Sequence, residues 1–328
     1  MLGARLPLAL TGGGLAVPET GRVAVFHPGE GADLGALPRE RVHVIQPFKP
    51  LHDAFKGVGY DCAMAPEGRY AMSIICLPRA KLEAYAMIAA AAAVTDGPVV
   101  VDGQKTDGAD SLLKALRQRG AVEGPVNKAH GKLFWVNDAP DLSDWTAGPE
   151  LTEGGFWTAP GVFSADGVDL ASALLADALP EKLGKNVVDL GAGWGYLSAH
   201  ILTRDTVDAV HLVEANHMAL ECAKRNVTDP RAQFHWADAT TWAAKERVDT
   251  VVMNPPFHTA RAADPALGRA FVSAAARMLA PSGHLWMVAN RHLPYEDALA
   301  ANFVKVVDLG GDARFKLVHA TRPKKTRP

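Results

Sequence analysis

The sequence predicts a two-domain α/β protein whose C-terminal half is built on a mostly parallel sheet. Three observations predict it. The chain has 328 residues, more than one hydrophobic core usually serves. Short apolar runs alternate with helical patterns, the rhythm of βαβ units. A stretch rich in Asp, Pro and Gly, residues 137–155, separates two halves. The expected domains are therefore 1–145 and 150–328.

In the first half, strands are expected over 23–26, 42–45 and 72–77. A helix follows over 81–94, closed by Asp96, Gly97 and Pro98. Its uncharged apolar run, 84–94, is too short to cross a bilayer and suits a buried helix. A strand at 99–102, a helix at 110–119 ended by Gly120, and a strand at 132–136 complete this half. The second half is more regular. Strands are expected over 186–190, 209–213, 232–236, 248–253 and 284–289, with helices over 196–202, 218–226 and 267–279. Strands at 303–309 and 315–320, around Gly310 and Gly311, suggest an antiparallel hairpin at the sheet edge. Val99-Val-Val-Asp-Gly103 and Val187-Val-Asp-Leu-Gly191 take similar places in their halves, which points to an internal duplication aligned on these two segments.

Composition narrows the class. About a fifth of the residues are charged and the formal net charge is −2, so bulk nucleic-acid binding is not indicated, although a local basic field remains open. Cys62, Cys76 and Cys222 form no C-x-x-C pattern. Neither a disulfide framework nor a metal cluster is expected, and a reducing cytoplasm fits best. The N-terminus has a short apolar patch at 6–10 but no signal-peptide pattern. We expect no membrane segment and a monomer.

Asp189-Leu-Gly191-Ala-Gly193-Trp-Gly195 follows a strand and opens a helix. The glycines allow a tight turn and close backbone approach to a ligand. The spacing is not that of the dinucleotide fingerprint. A carboxylate two residues before the first glycine repels a pyrophosphate but accepts hydrogen bonds from an ammonium group, directly or through water. That favours a ligand with a cationic amino-acid tail, such as S-adenosylmethionine. Glu214 ends the next strand, where a carboxylate can accept both hydroxyls of a ribose. Asp238 ends the third strand and can accept an adenine amino group. With Ala215 and Ala239, the residues that follow them, these acids complete the expected cofactor set. A lone acid of this kind is more often a solvated strand end; three at successive strand ends form a ladder. This ordered ladder resembles the class I methyltransferase fold, Rossmann-like with a seven-stranded, mostly parallel sheet, which implies S-adenosylmethionine as cofactor.

Asn254-Pro255-Pro256-Phe257 follows the fourth strand of this half. Ligands of open α/β sheets bind beyond the carboxyl ends of the strands, so this loop should face the cofactor. Two prolines stiffen it. The conjugated amino group of a base has a poorly available lone pair. Asn254 Oδ1 and the Pro255 carbonyl can each accept one N–H, holding the nitrogen in line with the methyl donor, while Phe257 stacks on the base. Asn254, Pro255 and Phe257 are the expected catalytic residues, with Asn254 also touching the cofactor. The motif resembles amino-methyltransferases acting on adenine N6, guanine N2, cytosine N4 or a glutamine amide, and does not choose among them.

Further stretches narrow the resemblance: Pro160-Gly-Val-Phe-Ser-Ala-Asp-Gly167, the extension of the motif to His258, Val288-Ala-Asn-Arg-His-Leu-Pro-Tyr-Glu296 and Phe315-Lys-Leu-Val-His319. Together they look like the bacterial 16S ribosomal RNA guanine-N2 methyltransferases of the RsmC type. The likeness is close over 155–320 and loose over 1–140, where that family carries a degenerate methyltransferase-like domain. It implies a ribosomal RNA or small-subunit substrate, bound near Pro256, Phe257, His258 and Arg291, and a first half that binds no cofactor but grips RNA or supports the catalytic half. From Ala313 to Pro328 there are six Lys or Arg and no acid, and the last stretch, 322–328, can contact phosphates or serve as a solubilising tail. Methylation of 23S RNA, methylation of a glutamine amide, and a non-catalytic assembly factor with a relic site stay open as alternatives.

Overall fold

A computed structural model describes residues 2–256, 258–259, 262–263 and 265–324, with no account of the side chains at 258–259 and 262–263. Two compact units divide the chain: Met1–Pro149 with Ala159–Gly161, and Glu150–Thr158 with Val162–Pro328.

The first unit contains strands β1 (Val23–Phe26), β2 (Val42–Ile45), β3 (Asp61–Ala63), β4 (Met72–Cys76), β5 (Val99–Gln104), β6 (Glu123–Lys128) and β7 (Gly131–Val136), in the order β3-β2-β1-β4-β5-β7-β6. Its helices are α1 (Leu2–Gly12), α2 (Lys49–Gly57), α3 (Lys81–Ala93) and α4 (Ala109–Arg117). Two apolar clusters, one containing Ile75 and Phe134 and the other Ile74 and Trp135, bury both faces of the sheet. Arg5 of α1 is fully buried and grips Asp102 of β5 through two hydrogen bonds, of 2.5 and 2.9 Å.

The second unit begins with a two-stranded pair, β8 (Glu150–Leu151) and β9 (Trp157–Thr158), followed by α5 (Leu170–Ala178). Then come β10 (Asn186–Leu190), α6 (Tyr196–Ile201), β11 (Ala209–Glu214), α7 (His217–Asn226), β12 (Ala232–Trp236) and β13 (Val248–Met253). A small antiparallel pair, β14 (His258–Thr259) and β15 (Ala262–Ala263), precedes α8 (Pro265–Met278), β16 (Leu279–Asn290), α9 (Glu296–Asn302), β17 (Phe303–Gly311) and β18 (Phe315–Pro323). The main sheet runs β12-β11-β10-β13-β16-β18-β17, and β18 alone runs antiparallel to the other six strands. Val187, Val188, Leu190, Val251 and Val252 are buried on both faces, which is why these strands read as unbroken apolar runs.

Each unit thus holds a seven-stranded, mostly parallel sheet of one topology. The correspondence differs from the expected one. β5 holds the fifth place in its sheet and matches β16, whereas β10 is matched by β1. The likeness between Val99–Asp102 and Val187–Leu190 lies in the letters alone; hydrogen-bonded neighbours set a strand's place. In the second unit the chain steps outward from β10 to β12 and returns to β13, so the topological switch point lies between β10 and β13.

Candidate active site

The parallel register pairs Asp189 with Val252 across the switch point. The turn after β10 and the loop after β13 therefore leave adjacent strands at the same level. The turn is built on positive backbone angles, φ +80° at Gly191, +56° at Gly193 and +91° at Gly195. A Cβ at Gly195 would meet Val227 at 3.0 Å, whereas one at Gly193 would stand in open space. The Gly191 and Ala192 amides donate to the Val213 carbonyl at 2.9 and 3.1 Å, lashing the turn to β11. Asn226 clamps it from outside by donating to the carbonyls of Trp157 and Trp194, each at 2.8 Å.

The three acids differ in setting. Asp189 is wholly buried. Its Oδ2 accepts from Ser198 Oγ at 2.7 Å, and Oδ1 has no partner among the described residues. Burial pushes its carboxyl up to about 7. Glu214 Oε2 accepts from the Gly193 amide at 2.8 Å and Oε1 from the Asn216 amide at 2.7 Å, so the glycine turn and the start of α7 share one carboxylate. Burial also raises Glu214, against those bonds. Asp238 Oδ1 accepts from the Thr240 amide and hydroxyl at 2.8 and 2.7 Å. The Ala215 carbonyl accepts from the Trp236 indole at 2.9 Å, and Ala239 is buried.

Asn254 is half-buried, Pro255 buried and Pro256 exposed. Asn254 Nδ2 donates to Asp169 Oδ2 at 2.9 Å and to Ser172 Oγ at 3.0 Å. The reading of the sequence missed both partners. Asp169 caps the N-terminus of α5, its carboxylate accepting from the Ser172 amide at 2.8 Å. An acid placed just before a helical apolar run was the available signal. Phe257 and the His258 side chain, both expected at the site, lie outside the described residues.

Arg291 lies elsewhere in its interactions. Its guanidinium donates to the carbonyls of Asp312, Gly310 and Phe315 at 3.0, 3.3 and 3.0 Å, so it braces the β17–β18 turn. Within the expected basic stretch, Lys316 is buried, donating to the Leu293 carbonyl at 2.7 Å and to Glu296 at 2.5 Å. Of the last stretch, 322–328, expected to contact phosphates, residues 325–328 lie outside the described ones.

The first unit keeps the frame of this site without its chemistry. The His27 amide donates to the Ile45 carbonyl at 2.9 Å, as the Gly191 amide does to Val213. Gln46 stands where Glu214 does, and its Oε1 accepts from the Phe48 amide at 3.0 Å. His27 sits at φ +50° in the glycine's place, with Glu83 3.7 Å away. Burial pushes His27 down to about 4 and Glu83 up to about 7. An imidazole thus stands at the place of Gly191, and an amide at the place of the Glu214 carboxylate.

Among the described residues no group of His, Cys, Asp and Glu is placed to hold a metal, and no helix is long and apolar enough to cross a membrane.

Comparisons with known proteins converge. A family model for the methyltransferase small domain matches residues 153–319. A ribosomal RNA small subunit methyltransferase C from Hahella chejuensis is 29% identical over 281 residues, covering 80% of either chain. One from Shewanella sp. (strain MR-4) is 32% identical over 265 residues, covering 76% of this chain and 77% of the other. Among solved structures, the T. thermophilus 16S rRNA N2 G1207 methyltransferase (RsmC), in complex with AdoMet and guanosine, matches with a TM-score of 0.77 and 27% identity, covering 94% of this chain and 90% of that one.

Proposed function

Because the chain belongs to the methyltransferase small-domain family, in common with ribosomal RNA small subunit methyltransferases C, we propose that it transfers a methyl group from S-adenosylmethionine to the exocyclic N2 amine of a guanine in 16S ribosomal RNA. The observation that carries this reading is the juxtaposition at the switch point: a glycine turn with a buried acid after β10 and an Asn-Pro-Pro loop after β13, paired at Asp189 and Val252. Methyl donor and amine acceptor then meet where two adjacent strands end. The relatives' names favour 16S RNA over the sister activity on 23S RNA and over a glutamine amide.

The residues fit the cofactor. Among the described residues, Asp189 Oδ1 is buried without a partner and a Cβ at Gly193 would meet nothing within 4 Å. Asp189 would hold the cofactor's ammonium, directly or through water, the backbone of 191–193 its amino-acid portion, Glu214 the ribose hydroxyls and Asp238 the adenine amine. When bound, the sulfonium would supply an electrophilic methyl group, its S–C bond breaking to leave a neutral thioether. Asn254 Oδ1 and the Pro255 carbonyl accept the two N–H groups of guanine N2 and turn its lone pair toward that methyl. The amine nitrogen forms the new N–C bond and sheds one proton to water. Positioning supplies most of the rate, so no strong base is required before transfer. The first unit binds no cofactor and serves to grip RNA or support the second.

Expression of the chain in a bacterium lacking its own small-subunit guanine-N2 methyltransferase tests this. Mass mapping of the 16S RNA should show one restored N2-methylguanosine, and the guanine named for the T. thermophilus enzyme, G1207, is the first site to examine. Unmodified RNA despite soluble, cofactor-binding protein would refute it.

A further inference from the structure

An asparagine amide has two ends of nearly equal shape and opposite hydrogen-bonding character. Only the carbonyl end can receive an amine N–H; the reversed amide would set donor against donor. Something must therefore select the orientation before the base arrives.

We propose that Asp169 and Ser172 are positioning residues that fix the Asn254 amide with its carbonyl oxygen toward the substrate amine. The inference rests on the reading of Asn254 given above. An ionised carboxylate only accepts. With Asn254 Nδ2 2.9 Å from Asp169 Oδ2, a reversed amide would bring two acceptors to that distance. Ser172 Oγ, 3.0 Å from the same nitrogen, takes a second donor, so both N–H groups are occupied and the remaining hydrogen-bonding capacity is Oδ1. Ser172 is buried, and Asp169 Oδ2 is itself held by the Ser172 amide at 2.8 Å, so the first turn of α5 sets both acceptors.

The arrangement does more than orient. A carboxylate accepting from the amide N–H draws electron density through the amide toward its oxygen. In the chain Asp169···H–N–C=O···H–N, each hydrogen bond polarises the next. Asn254 Oδ1 becomes a stronger acceptor, and the guanine nitrogen gains electron density as its N–H groups are held.

The test uses the full chain, labelled S-adenosylmethionine and small subunits lacking the modification. Asp169→Ser keeps an N-cap acceptor for α5 but is too short to reach Asn254. It should lower the single-turnover transfer rate roughly 10- to 100-fold, while KM for subunits and cofactor affinity stay within about threefold, because only alignment in the reacting complex is lost. Asp169→Asn, which retains an acceptor without the charge, should recover part of the rate, and Ser172→Ala should fall between it and Asp169→Ser. In an Asn254→Ala background, Asp169→Ser should cost nothing further, as expected for residues acting through one another. An unchanged rate in Asp169→Ser, a loss carried by KM or cofactor affinity, or losses that add in full in the Asn254→Ala background would each overturn the proposal. Should Asp169→Ser fail to fold, Asp169→Asn and Ser172→Ala decide it by the same rates. Near-wild-type transfer by Asn254→Ala would instead sink the reading of Asn254 itself.

Discussion

Asp189→Asn should make the ligand-free protein more stable and bind its cofactor less well. The carboxyl is wholly buried, with one oxygen unpartnered among the described residues, and burial lifts it from 3.8 to about 7. Between those values the folded chain holds a proton at Asp189 that the unfolded chain has released, so stability falls as pH rises, by up to about 1.4 kcal/mol per pH unit, and levels off above about 7. Over the whole interval the ceiling is about 4 kcal/mol. The asparagine has no charge to bury, though its amide must find partners beside Ser198. A gain of about 1–4 kcal/mol at pH 8 is expected, which for a domain of this size is roughly 2–4 °C in Tm per kcal/mol. Glu83 is also raised to about 7, so the wild-type pH profile contains both groups. The difference between variant and wild type isolates Asp189. Urea unfolding of both proteins from pH 4 to 8 measures it, alongside calorimetry with S-adenosylmethionine. The difference should be near zero at pH 4, widen to pH 7 and then stay constant, and cofactor affinity should drop. A variant less stable at pH 8, or a difference flat with pH, would refute the assigned cost of burying this acid.

Asn254→Ala should leave S-adenosylmethionine affinity within about threefold and cut methyl transfer about 100-fold or more, since it removes an acceptor aimed at the reacting amine; single-turnover kinetics beside calorimetry separate the two. Calorimetry should give one S-adenosylmethionine per chain, because His27 and Gln46 stand in the first unit where Gly191 and Glu214 stand in the second; two equivalents would contradict the account of that unit. Asp102→Ala should destabilise the first unit by about 3–5 kcal/mol by leaving the buried Arg5 charge unpaired, as read by chemical denaturation.

The sequence disclosed most where one residue type carried one physical meaning. β10 and β13 are apolar on both faces and close on Asp189 and Asn254, so their places along the chain and their ends were legible. Elements whose pattern is mixed were not. β3 and β6 are largely exposed edge strands with no apolar run, α1 reads as a short apolar patch around Pro7, and α5 follows a glycine-rich stretch that drew attention to its loop. The alignment of the two halves went astray because similar letters recur at β5 and β10, while strand place depends on partners distant in sequence. At the site, Asp189, Glu214, Asp238 and Asn254 stood out as polar residues at strand ends. The depth of Asp189 did not, nor did the clamp on Asn254, whose partners lie 85 and 82 residues earlier. Arg291 illustrates the converse: a cation near the site in sequence whose donors are taken by the carbonyls of a turn.

Delivery of a methyl group by the Asn254 loop to guanine N2 of small-subunit RNA is the step to test. Its most direct test is to incubate the purified chain with methyl-labelled S-adenosylmethionine and unmodified small subunits, digest the RNA to nucleosides and identify the labelled species. N2-methylguanosine should be the labelled nucleoside, at one site in 16S RNA, and should be lost with Asn254→Ala. Label in N6-methyladenosine, in N4-methylcytidine, or in protein instead of RNA would contradict it.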